Sequence, residues 1–319
     1  MKSTVRHLSK KPCGSGGVPN MPKPRVASWY ESRLGRNDGN PLYVTNVFKR
    51  DYKKTIDFDH LIPDPEAFLD IYGGHDLNIW VDWAEDALYN NGMMHYRPVM
   101  PPKPSLYWAS DTHLGFDYRL AAAKIFSYVC VAQRDAVEAF REHGVTAPVE
   151  WLPHAVEPDA YNPLATNTYT DALRAQAQET RTIKDHDVSF VGYLTFPNRL
   201  DFLDAVYKGV QAQGRTFWNA SRFFEEAARI FTHSRIVLNH AVKGDLNMRV
   251  FEALATRSFL LTPDVPSLDT LFTPGVHLVT YQDGNVDDAL EKIAYYANDS
   301  HEDERERIAE AGYREVLAK

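Results

Sequence analysis

The chain has 319 residues, 44% of them hydrophobic and 24% charged. That composition excludes wholesale disorder, the length points to two domains of ~150 residues, and no apolar run approaches the ~18 residues of a membrane helix. Two cysteines, Cys13 and Cys130, exclude a disulfide framework or a cysteine-rich metal site, so a reduced, cytoplasmic chain is the natural expectation. The net charge of −8 is uneven: residues 1–155 hold 18 basic and 18 acidic side chains, residues 156–319 hold 17 and 25.

Residues 1–25 read as a flexible basic arm. Pro12, Pro19, Pro22 and Pro24 interleave there with Gly14, Gly16 and Gly17, a composition that buries too little surface to offset ordering entropy. It has no apolar core of a secretory signal. From Val26 onward short apolar runs alternate with helical patterns. Strands are expected at LYVTNV (42–47), LNIWVD (77–82), SLYWA (105–109), SYVCV (127–131) and VEWL (149–152). Their apolar character is continuous, as in strands buried on both faces. A helix follows 131, with Val137 and Phe140 on one face and Gly144 as its stop.

The region 153–185 is proline-rich and then polar, and marks a boundary. Beyond it, VSFVG (188–192) predicts a strand, followed by a helix with Pro197 near its start, Gly214 past its end and Leu200, Leu203, Tyr207 and Val210 as its apolar stripe. Ser221 is expected to cap a helix carrying Glu225 and Glu226 in its first turn. RIVLN (235–239), SFLLT (258–262) and HLVTY (277–281) read as strands, 247–256 as a helix, and 286–297 and 302–318 as closing helices. Such alternation predicts α/β domains with parallel sheets covered by helices on both faces, here 26–155 and 156–319.

Several chemistries lack their motifs. GSGG at 14–17 follows no strand and misses the third glycine of a dinucleotide fingerprint, and no phosphate-loop G-x-x-x-x-G-K-[ST] occurs. No histidine or cysteine spacing suggests zinc. The densest polar chemistry is DLNMRVFEALATRSFLLT (245–262). Arg249 and Glu252 are three apart on one helix face near a terminus that attracts phosphate. Arg249 suits a phosphate oxygen and Glu252 suits two ribose hydroxyls, although an i,i+3 surface ion pair is the simpler account of the spacing. In FVGYLTFPNR (190–199), Gly192 allows a ligand close to the backbone and Arg199 lies one turn into the next helix. In WASDTHLG (108–115), Asp111 and His113 fall on a loop after a strand, where they suit base or substrate-hook roles as well as plain turn chemistry. Asp82, Glu85 and Asp86 suit sugar hydroxyls, a cation or a helix start. Phe217 and Trp218 are candidates for stacking on a base.

Together these segments resemble glycosyltransferases of the GT-B fold, specifically the CgeB-like, spore maturation protein-like group, most closely over 188–317. WLPHAVEPDAYNP resembles the interdomain hinge of GT-B enzymes, with His154 and Ala155 in place of the usual Asn-Gly. FVGYLTFPNR resembles their donor-phosphate loop, LNMRVFEALATRSFLLTPDVPSLDTLFTPGVHLVTY their donor block, and EDERERIAEAGYREVL their last helix. The resemblance implies two Rossmann-like domains facing an interdomain cleft, a nucleotide-sugar donor on the second, an acceptor on the first, and neither metal nor separate cofactor. By position, Glu252 would hold the donor ribose, Gly192, Arg199 and Arg249 would face the diphosphate, and Asn247 would cap the donor helix. Asp111 and His113 would face the cleft from the acceptor side. The paired glutamates of many retaining relatives are incomplete, because Gly244 stands eight residues before Glu252.

The expected function is therefore transfer of a sugar from a nucleoside-diphosphate sugar to a hydroxyl acceptor, a glycan, protein or small molecule. Nucleic acid is not expected as a partner. The rivals are a non-catalytic module that binds sugar nucleotides or glycans, and an epimerase or phosphorylase of the same fold.

Overall fold

The computed structural model describes residues 26–29, 76–81, 103–164, 184–194 and 196–319. The basic arm, the strand expected at 42–47, the acids Asp82, Glu85 and Asp86, and most of the boundary region lie outside the described residues.

The first of two parallel sheets holds β1 (Val26–Trp29), β2 (Leu77–Val81), β3 (Ser105–Ala109), β4 (Tyr128–Val131) and β5 (Val149–Trp151), in that spatial order. Helices α1 (Phe116–Ala123) and α2 (Ala136–Glu142) make the crossovers β3–β4 and β4–β5. Alternate strand residues feed two apolar layers. Trp80, Tyr107, Val129 and Val131 pack with Leu120, Phe126 and Phe140, while Ile79, Val81 and Trp108 form a smaller cluster. This double burial explains the continuous apolar runs. The chain leaves α2 through Gly144 at φ +87°, a left-handed conformation that favours glycine.

The second sheet has the order β10-β9-β8-β6-β7. Its strands are β6 (His186–Val191), β7 (Phe217–Ala220), β8 (Ser234–Leu238), β9 (Leu260–Pro263) and β10 (Val279–Tyr281). Helices α3 (Pro197–Ala212), α4 (Phe224–Thr232), α5 (Met248–Ala255) and α6 (Leu268–Leu271) connect them in turn, and α7 (Val286–Tyr296) and α8 (Glu302–Ala318) follow. One apolar layer joins Val188, Phe190, Ile236 and Leu238 to α3, α7 and α8. The other joins Val191, Val237 and Leu260 to α4 and α5, and takes in Ala160 and Tyr161 from the segment after β5.

Two expectations are corrected. The buried stripe of α3 is Phe202, Leu203, Val206 and Val210, while Leu200 is exposed. Leu203 and Val210 hold as expected, while Phe202 and Val206 take the places of Leu200 and Tyr207, because Phe202 packs against Tyr281 and His240, with ring centroids 5.5 and 4.6 Å away. Ser221 is not a cap: residues 217–220 pair with β6 as an edge strand, so α4 starts later, at Phe224 with φ +49°. The Phe224 amide finds its acceptor in the Tyr161 hydroxyl, 3.0 Å away.

Helix α8 crosses α5 at Gly312. A Cβ there would collide with the carbonyl oxygen of His277 and meet Leu254 Cδ2 at 2.7 Å. Gly312→Ala is therefore expected to lose ~1–3 kcal/mol of stability through overpacking, although alanine is the better helix former. Urea unfolding checks this, and an unchanged or raised midpoint would show that the crossing relaxes freely.

Candidate active site

Strand β6 lies at the point where the second sheet reverses direction, with β7 to one side and β8 to the other. The crevice outside the carboxyl ends at such a reversal is where α/β sheets bind ligands. Gly192 and Tyr193 follow β6 there, and Asn239 and His240 follow β8. Arg199, in the first turn of α3, spans the crevice. Its Nη1 donates to Tyr193 O at 3.1 Å and its Nη2 to His240 O at 2.9 Å. The guanidinium lies by the rings of Phe190 and Phe196, at 5.7 and 5.4 Å. Its Nε is buried without a hydrogen bond. Burial lowers the Arg199 pKa, yet arginine remains a cation in proteins.

Helix α5 brings the second set of groups. Arg249 Nη1 donates to Glu252 Oε2 at 2.5 Å. The pair is not a surface one, since Glu252 is only 5% exposed. Arg249 also sits 5.6 Å from the Phe231 ring centroid. Glu252 is hydrogen-bonded to the Tyr161 hydroxyl as well, and burial, with Glu252 beside it, pushes the Tyr161 pKa up and keeps the phenol neutral. Gly192 belongs to the same surface: a Cβ there would lie 3.7 Å from Arg249 Nη2 and 3.0 Å from Phe190. Two cations and a close-approach glycine thus converge from segments far apart in sequence.

Asn247 occupies the N-cap position of α5 with extended backbone, but its side chain caps nothing. Its Nδ2 points to His240 O at 3.5 Å and its buried Oδ1 has no hydrogen bond. The expected capping role is corrected accordingly, because the side chain turns toward the crevice. His240, packed on Phe202, has its pKa lowered to about 4 by burial and by Arg199, so it is neutral near pH 7.

The first sheet contributes through its loops. Asp111 accepts the Leu114 amide with its carbonyl at 2.9 Å, closing the turn that carries His113. His113 Nε2 lies 3.9 Å from Asp245 Oδ2, on the loop before α5. Nearby, Gln133 Oε1 accepts the Leu246 amide at 3.0 Å, and Arg134 Nη1 donates to Thr270 Oγ1 at 2.9 Å. The loops after β3 and β4 therefore meet the loop that leads into α5.

Sequence reasoning missed Asp245, Tyr161 and Gln133. Asp245 stood inside the polar block at 245–262, but its spacing matched no motif. Tyr161 and Gln133 carry no local signal, since their partners lie in the other half of the chain or beyond the boundary region. Trp218 is displaced from the role expected of it: it stacks on His186 at 5.1 Å, at the end of β6 opposite Gly192. Beyond Phe190 and Phe196, the loop after β6 brings the ring of Tyr193, 5.9 Å from that of the exposed Phe223. Among the described residues no group of three or more His, Cys, Asp or Glu is placed to hold a metal ion. Among the same residues no helix is long and apolar enough to cross a membrane.

Residues 172–319 match the family model described as "Glycosyl transferase-like". No curated protein matches the chain. Among solved structures, Anabaena HepE in complex with UDP and glucose superimposes with a TM-score of 0.62 at 13% identity, covering 93% of this chain and 95% of its own. Sucrose-phosphate synthase from Thermosynechococcus elongatus gives 0.60 at 11%, covering 92% and 94%. A glycosyltransferase from Rickettsia africae gives 0.55 at 9%, covering 92% and 93%. The chain has the GT-B fold of these proteins, with parallel sheets in an α/β arrangement.

Proposed function

We propose that the protein is a glycosyltransferase of the CgeB-like group, which moves a sugar from a nucleoside diphosphate to a hydroxyl acceptor. The observation that carries this reading is the convergence of Gly192, Arg199, Arg249 and the buried Glu252 at the reversal point of the second sheet. The matched family model covers this same region, and the HepE structure holds UDP and glucose. In this reading residues 156–319 bind the donor and residues 26–155 the acceptor. Arg199 and Arg249 meet the charge that builds on the departing diphosphate, the usual dominant contribution in such a step. Glu252, held by Arg249 and Tyr161, keeps lone pairs for ribose hydroxyls. His113 and the turn closed by Asp111 face the acceptor. With two arginines on the diphosphate, no divalent cation is needed. Loss of turnover in chelator, restored by magnesium or manganese, would overturn that part.

Calorimetry with UDP, then turnover of radiolabelled UDP-glucose, tests the reading. Glu252→Ala is expected to weaken UDP binding by ~1–3 kcal/mol, the scale of a charged hydrogen bond. Unchanged affinity would remove Glu252 from the ribose. Binding without turnover of any nucleotide sugar would mark a non-catalytic module instead, and isomerised donor an epimerase.

A further inference from the structure

The carboxylate of Asp245 is the group that the sequence left without a role. It is 9% exposed and lies at the junction of the two halves. Its two oxygens are differently placed. Oδ1 accepts the Val242 amide at 2.5 Å, which fixes the side chain within its own loop. Oδ2 is turned toward the loop after β3, 3.9 Å from His113 Nε2. That gap is too long for a direct hydrogen bond. It is the separation of two groups that flank a third: an oxygen ~2.8 Å from each would subtend roughly a right angle, within hydrogen-bond reach of both.

The position of this gap is also informative. Asp245 precedes α5 by three residues, so it lies beside the terminus that carries Asn247 and, one turn on, Arg249. The Asn247 side chain hydrogen-bonds this carboxylate, and Arg199 is its charged neighbour. The Gln133–Leu246 hydrogen bond ties the same loop to the first sheet. A hydroxyl held between Oδ2 and Nε2 therefore sits between the donor-side cations and the acceptor-side loops.

We propose that Asp245, paired with His113 across the cleft, is the catalytic residue that takes the proton of the attacking hydroxyl. This rests on the transferase reading above. As the acceptor oxygen bonds to the anomeric carbon, the bond from that carbon to the diphosphate oxygen breaks. Its electron pair leaves with the diphosphate, and the hydroxyl proton passes to Asp245 Oδ2. His113 Nε2 holds the same hydroxyl in line. Burial raises the Asp245 pKa from 3.8 to about 6, which suits a base working near neutral pH. Hydrogen bonds from the Val242 amide, its own backbone amide and the Asn247 side chain, with the electrostatic influence of Arg199, oppose that rise without cancelling it.

The test uses the full chain and the variants Asp245→Asn, His113→Gln and the double change. Asparagine keeps an oxygen for the Val242 amide, so the loop should stay folded, which circular dichroism checks. UDP affinity, by calorimetry, is expected to remain equal or tighten. Release of UDP from UDP-glucose, with water as acceptor, is expected to fall by roughly 10²–10⁴-fold in Asp245→Asn. The double variant should be little worse than the single ones, because groups acting as a unit are not additive. Turnover within about threefold of wild type in folded Asp245→Asn, or fully multiplicative losses, would overturn the proposal. Histidine NMR separates this from failure of the transferase reading. If the two side chains face each other, the His113 titration midpoint drops in Asp245→Asn, by roughly one pH unit for loss of a neighbouring charge. If wild type binds no nucleoside diphosphate and releases none from a panel of uridine, guanosine, adenosine and thymidine diphosphate sugars, the transferase reading fails and the catalytic role goes with it. An unmoved His113 midpoint sinks the pairing itself.

Discussion

Arg249→Met is expected to destabilise the fold by ~3–5 kcal/mol, far more than Glu252→Ala. The asymmetry follows from burial. Glu252 is 5% exposed and Arg249 Nη1 is its charged partner. Removing the cation strands a carboxylate in a site that the protein cannot readily hydrate, and breaking a buried pair from one side costs on that scale. The Tyr161 hydroxyl remains, but a neutral donor does not replace a guanidinium. Removing the acid instead leaves Arg249 with 18% of its side chain exposed and the open crevice beside Gly192. In the double variant Arg249→Met/Glu252→Gln most of the loss should return, because neither charge is left alone. For a domain of this size the single change corresponds to a fall in Tm on the order of 10 °C. Chemical unfolding of the three variants checks the order. A loss under about 1 kcal/mol in Arg249→Met would mean that water reaches Glu252, and the ribose assignment would lose its preorganised partner.

Most of the architecture was legible because burial imposed itself on the sequence. Trp80, Tyr107 and Val129 in one sheet and Phe190, Ile236 and Leu260 in the other lie in runs too apolar for any exposed segment. The helix stop at Gly144 was legible because a left-handed residue selects glycine. What escaped has a common cause. Edge strand β7 shows only intermediate and exposed residues, so FWNA carries no burial pattern that marks it as a strand. On α3, Leu203 and Val210 follow from the sequence, but Leu200 and Tyr207 fit a 3.6 period as well as the buried Phe202 and Val206 do. Only the contacts of Phe202 with Tyr281 and His240 decide between them. In the site, Arg249 and Glu252 were found because they are neighbours on one helix. Tyr161, Gln133 and the His113–Asp245 approach join residues from distant segments, and no local pattern encodes such a meeting. Asn247 shows the converse error: its residue type matched the cap, while its side chain serves the crevice.

Asp245→Asn is expected to be more stable than the parent at neutral pH, and the difference should vanish in acid. Burial raises the Asp245 pKa from 3.8 to about 6 in the folded protein. The folded state therefore binds this proton more tightly than the unfolded chain does. Between about pH 4 and 6 the unfolded chain releases the proton first, so the contribution of this group to stability falls as pH rises. A rise of roughly two units corresponds to about 3 kcal/mol, complete above the folded value and absent below the unfolded one. Asparagine cannot ionise, so its stability relative to the parent should climb across that window and level off near pH 7. Other carboxylates titrate in both proteins and cancel in the difference. Urea unfolding of the pair at pH 4, 5, 6 and 7 gives the curve directly. A flat difference would mean that Asp245 titrates as an ordinary solvated carboxylate, and its claim to hold a proton in the cleft would go. A rising difference together with lost turnover is the signature of a group kept ionised at the expense of the fold, which is how stability and activity oppose each other at a reacting centre. A buried acid retained only for packing would raise stability on replacement and leave turnover unchanged.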